Sequence, residues 1–145
     1  MSNTSSSLVP GKWVRVILLA GDLVALMLFV YVGQRDHGTV NDAWPLLGIL
    51  LSSWEFALLW IVAGWPLGAF PPAEEWTTRV LLTRPLLTWL VAAPLGLLLR
   101  ALVLERLVIQ TLFFAATLGF GIIFLFVWRM LFIFGWKTLV LSRSK

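Results

Sequence analysis

The chain has 145 residues, of which 60% are hydrophobic and 12% charged, with a net charge of +4 and no cysteine. A soluble domain carries about 25% charged residues, so this is a membrane composition, with length for four spans of about 20 residues and no separate soluble domain. The lack of cysteine excludes disulfides, thiolate metal sites and redox thiols, and the basic residues form no continuous stripe, which argues against nucleic acid as a partner.

Residues 1–12 begin Ser/Thr-rich and are expected to form a disordered leader ahead of a single membrane domain over 13–136. The first helix is expected over 13–33. Its apolar run is longer than a signal-peptide core, is interrupted by Asp22 and is followed by no small-x-small cleavage site, so it reads as an uncleaved span. Helical spacing puts Asp22, Ala25, Phe29 and Gly33 on one face, and Gly21 with Ala25 makes a small-xxx-small pair suited to a close neighbour. The polar connection Gln34 to Trp44 follows, with turn formers Gly38 and Asn41 and a polar cluster of Arg35, Asp36 and His37. One imidazole among loop carboxylates is a poor metal signature, and no metal site is expected there.

The second helix is expected over 45–65, opened by Pro45 at a position that needs no backbone donor. Gly48, Ser52, Glu55 and Leu59 share a face, with Gly48 and Ser52 expected to pack against a neighbouring helix and again leading to one acid near the middle. Residues 66–79 hold three prolines and Glu74-Glu75, which ends the helix in an interfacial connection. The third helix, over 80–104, carries Pro85 and Pro94, and the second should kink it. Arg84, Thr88, Ala92, Gly96 and Arg100 recur at steps of four as a polar and small seam. A turn at Glu105 and Arg106 leads to the fourth helix, over 107–135, whose matching seam is Gln110, Thr117, Gly121, Leu125 and Arg129. Residues 137–145 form a basic tail.

Lys12, Arg15, Arg79, Arg84, Lys137, Arg143 and Lys145 fall on the side of the termini, against Arg35, Arg100 and Arg106 on the other. Seven against three places both termini in the cytoplasm, in the cell membrane, by the positive-inside rule. Trp13, Trp44, Trp65, Trp76 and Trp136 fall at span ends as interfacial anchors, while Trp54, Trp60, Trp89 and Trp128 pack within the bilayer, against neighbouring helices by default.

Asp22 and Glu55 fall near mid-bilayer, where a charge costs about 2.5 to 3.5 kcal/mol to insert. One reading makes them a proton or substrate site; the other makes each a structural acid, neutral and hydrogen-bonded or paired with a buried arginine. Arg100 and Arg129 are the candidate partners. Each can snorkel to its own interface or turn inward, so Arg129 with Asp22 and Arg100 with Glu55 are possible pairs, though depth alone does not choose the pairing. There is no HExxH, no Gly-rich phosphate loop and no Gly-x-Ser-x-Gly, so no catalytic set is expected, and no cofactor.

The chain resembles an uncharacterised bacterial family of small four-span membrane proteins, defined by a domain of unknown function. The resemblance rests on Gly21-Asp22, the Gly33-Gln34-Arg35-Asp36-His37-Gly38 exit, Trp44-Pro45, Arg84-Pro85, Arg100 and Trp128-Arg129. In that family a serine often precedes the histidine, where this chain has Asp36. The resemblance implies the same architecture and no activity.

The fold expected is therefore all-α, a four-helix transmembrane bundle with short loops. The function expected is that of a non-catalytic bundle acting by association in the bilayer, with itself or within a larger membrane complex. The alternative is a small oligomeric proton-coupled permease using Asp22 and Glu55.

Overall fold

The computed structural model describes residues 11–40, 43–105, 108 and 111–143, and the leader expected over the first residues lies, but for its last two, outside them. Four helices follow in order: α1 Gly11–Asp36, α2 Pro45–Gly64, α3 Thr78–Val103 and α4 Thr111–Arg143, with a 3-10 turn Ala73–Glu75 before α3. All four are long and apolar enough to cross a membrane. A helix satisfies its own backbone, which hydrocarbon demands of any span.

Each helix packs on its chain neighbours, and α4 closes the ring against α1. The starts of α1 and α3, the α2–α3 connection and the last turns of α4 share one end of the bundle, called here the terminal end. The opposite end carries the α1–α2 and α3–α4 connections.

The helix ends explain where the expected boundaries moved. α1 runs three residues past 33 because Gln34, Arg35 and Asp36 continue the helix beyond the apolar run, and it stops where Gly38 adopts φ +63°. There Thr39 N–H donates to Gln34 O and Gly38 N–H to Arg35 O, the paired bonds of a Schellman reversal. The same pair recurs beyond α2, where Gly68 has φ +71°, Ala69 N–H donates to Gly64 O and Gly68 N–H to Trp65 O. This second reversal turns the connection back into the bundle, so Ala69, Phe70 and Pro71 are buried rather than lying along an interface. α3 is capped by Thr77, whose hydroxyl accepts from Val80 N–H, and runs as one helix through Pro85 and Pro94. α4 does not end near Gly135: it continues through Lys137 and the basic tail to Arg143, because nothing in that stretch breaks a helix.

The small-residue seams are sockets for rings. A Cβ on Gly96 would lie 2.8 Å from the Phe56 ring, and one on Gly121 or Gly21 would overlap Trp89 or Trp128 respectively. Small residues here admit aromatic side chains from the adjoining helix, where a close backbone approach was the expectation. Gly33, by contrast, faces open space.

Candidate functional site

Two ion pairs lie in the bundle, and they differ in kind. Asp22 on α1 is fully buried, and Arg129 on α4 meets it in a bidentate fork, Nε to Oδ1 at 2.9 Å and Nη2 to Oδ2 at 2.5 Å. Arg129 Nη2 also donates to the Ala69 carbonyl at 2.9 Å, an acceptor delivered by the Gly68 reversal. One guanidinium therefore ties α1, α4 and the α2–α3 connection together, in the geometry that makes charge-assisted pairs strongest. The indoles of Trp60 and Trp128 approach the Asp22 carboxylate without reaching it in hydrogen-bond geometry, and their N–H groups and Arg129 Nη1 have no partner among the described residues.

Glu55 on α2 is also buried, but its pair is looser. Arg100 Nη1 reaches Glu55 Oε1 at 3.4 Å and Ser52 O at 3.1 Å, and the Arg100 side chain is 26% exposed. Glu55 Oε2 has no hydrogen-bond partner among the described residues. Gln34, at the end of α1, joins this group by donating to Ser52 Oγ at 2.7 Å and to Gly48 O at 3.3 Å, with its own Oε1 unpartnered. Sequence reasoning assigned Ser52 and Gly48 to helix packing and gave Gln34 no role. A polar side chain one turn before a helix reversal, opposite a Gly-xxx-Ser face, is the signal that marks it.

Aromatic rings from all four helices meet in the interior. Phe29 of α1 touches Phe56, Trp89 and Phe124, one from each other helix, with centroids 6.2 to 6.4 Å apart, and Trp60 packs on Trp89 at 6.1 Å. At about 1.5 Å per residue, Asp22 lies roughly 10 Å from Phe29 and Arg129 roughly 8 Å from Phe124, both toward the terminal end. Arg100 lies roughly 16 Å from Trp89 in the opposite direction. Asp22 thus lies on the terminal side of the rings, while Glu55, immediately before Phe56, lies at their level.

The remaining expected residues are not brought together. Arg35, Asp36 and His37 are exposed at the end of α1, and no set of metal-capable side chains gathers among the described residues. Asn41, Asp42, Arg106 and Gln110 lie outside the described residues. Ala25 is buried beside Asp22. Arg84, half-exposed at the terminal end, pairs with Glu75 at 2.7 Å. Three buried hydroxyls were not singled out as polar sites, Ser53 on α2, Thr88 on α3 and Thr117 on α4. Trp54 does not pack within the bundle as Trp60 and Trp89 do; it is 41% exposed on the outer face of α2.

The profile of a family described as a protein of unknown function (DUF3054) matches residues 19–132. The match spans both acids and both arginines. No curated protein and no solved structure matches the chain.

Proposed function

The chain belongs to the DUF3054 family of proteins of unknown function, and from the geometry of this member we propose that it is a non-catalytic bundle acting by association in the membrane, as a homo-oligomer or an accessory subunit. The observation that carries this reading is Trp54. It sits nine residues into α2, roughly 14 Å from the helix start and so near the middle of a span, with its face turned out of the bundle among Leu50, Leu51, Leu58 and Ile61. An indole belongs at the headgroup level or against protein, because its N–H finds no acceptor in hydrocarbon. A second polypeptide on this face supplies that acceptor.

The interior supports the same reading. The Asp22–Arg129 fork is closed by Ala69 O and covered by Trp60 and Trp128, a fixed brace rather than a group that changes partners. The excess of Lys and Arg on the side of the termini supports a cytoplasmic position for both.

The second reading, an oligomeric proton-coupled permease, draws on Glu55 rather than Asp22. Its unpartnered Oε2 and the unpartnered Oε1 of Gln34 are two buried acceptors near a long, partly exposed ion pair, as a proton-loading group requires.

The mass of the intact particle, purified from host membranes in a mild detergent, tests the leading reading. A whole-number multiple of the chain or a stoichiometric second polypeptide is expected; a monomer bearing only lipid and detergent overturns it.

A further inference from the structure

At the terminal end, the start of α1 and the α2–α3 connection leave a cleft of about 410 Å³ between them. This is within the size range of small-molecule sites. Its walls are mostly apolar, Val16, Leu19 and Phe70 among them, and it carries two opposite charges, Arg15 and Glu74. Arg15 stands four residues into α1, about 6 Å from its start, and Glu74 lies in the 3-10 turn before α3, so both charges sit at the surface end of the cleft. Neither is ion-paired among the described residues: Glu75, next to Glu74, is taken by Arg84, and Arg15 and Glu74 are not in contact with each other. Trp65, 65% exposed, stands at the same rim, as an anchor at the headgroup level does.

The charge pattern selects the occupant. An anion alone meets the carboxylate of Glu74, and a cation alone meets Arg15, whereas a zwitterion satisfies both. The apolar walls require that the zwitterion carry hydrocarbon. A carboxylate is best served by a group that donates hydrogen bonds, which a primary ammonium does and a quaternary one does not. We propose that this cleft holds one phospholipid with a primary-ammonium zwitterionic headgroup, its phosphate on Arg15, its ammonium on Glu74 and an acyl chain along Val16, Leu19 and Phe70. The cleft is separate from the buried Asp22–Arg129 pair, which lies a turn deeper behind Leu19, and it is independent of the association face on α2.

The test is native mass spectrometry of the full chain in detergent with phosphatidylethanolamine, phosphatidylcholine or phosphatidylglycerol of matched acyl chains. One phosphatidylethanolamine per chain is expected, retained at least ten-fold over the other two. Arg15→Gln should lower that retention about ten-fold, and Glu74→Gln should raise phosphatidylglycerol to parity with phosphatidylethanolamine. Both side chains are at the surface, and thermal melts of the two variants verify that the bundle is intact. If Leu19→Trp, which fills the cleft floor without touching either charge, leaves retention unchanged, the site is elsewhere. Equal retention of the three lipids, a wild-type preference for phosphatidylglycerol, or a phosphatidylethanolamine preference that survives Glu74→Gln would each overturn the proposal.

Discussion

The indole of Trp128 lies against Gly21 so closely that a methyl group placed on Gly21 would overlap the ring. Trp128 immediately precedes Arg129, and Gly21 immediately precedes Asp22. The ring-to-glycine contact and the ion pair therefore fix the same register between α1 and α4. Gly21→Ala should cost about 1 to 3 kcal/mol through overpacking and lower the thermal midpoint in detergent. Gly33→Ala, whose added Cβ meets nothing within 4 Å, is the matched control and should leave it unchanged.

The Asp22–Arg129 pair should behave as a buried unit. Asp22→Leu or Arg129→Met alone leaves an uncompensated partner and should cost about 3 to 5 kcal/mol. The double variant Asp22→Leu with Arg129→Met removes both charges and should be more stable than either single variant. Denaturation of all three in one detergent measures the coupling. Arg84→Gln, which breaks a half-exposed pair with Glu75, should cost no more than about 1 kcal/mol.

Asp22 and Glu55 are held by different arginines and share no hydrogen-bond partner among the described residues, so the two acids should be energetically independent. Glu55→Gln loses one long hydrogen bond and should cost about 1 kcal/mol. Combined with Asp22→Asn, its effect should add to within about 0.5 kcal/mol. A larger non-additive term would mean that the two acids communicate.

Gly68 carries the fold-back that delivers the Ala69 carbonyl to Arg129. Its φ of +71° disfavours any side chain, and an added Cβ would stand 3.2 Å from Arg84 Nη1. Gly68→Ala should cost about 1 to 2 kcal/mol. It should also speed hydrogen exchange at residues 69–71, and exchange mass spectrometry reads that directly.

The four spans were legible in the sequence because long apolar runs, Pro45 and the Arg84-to-Arg100 seam report helix length and facing without tertiary information. Depth along the spans offered Arg100 and Arg129 as partners for the two acids, but it did not choose which pairs with which and could not tell a pair from two snorkelling side chains. What decided the matter for Arg129 was a backbone carbonyl from a connecting segment. That segment reads as an interfacial loop because its prolines and glutamates are local signals, while the burial of Ala69 and Phe70 depends on where Gly68 aims the chain. The extent of α4 was misread for a related reason: loss of hydropathy marks where a span leaves the bilayer, not where a helix ends. Trp54 shows the same limit, since helical periodicity over an apolar run cannot separate a face turned to the bundle from one turned outward.

The measurement closest to the central claim is photo-crosslinking in host membranes. A benzoyl-phenylalanine at Leu58, one turn from Trp54 on the exposed face of α2, should capture a single polypeptide of defined mass, and Trp54→Ala should abolish the adduct. The same group at Leu87, exposed at similar depth on α3, should give only lipid adducts. Lipid adducts alone at both positions would contradict association through this face.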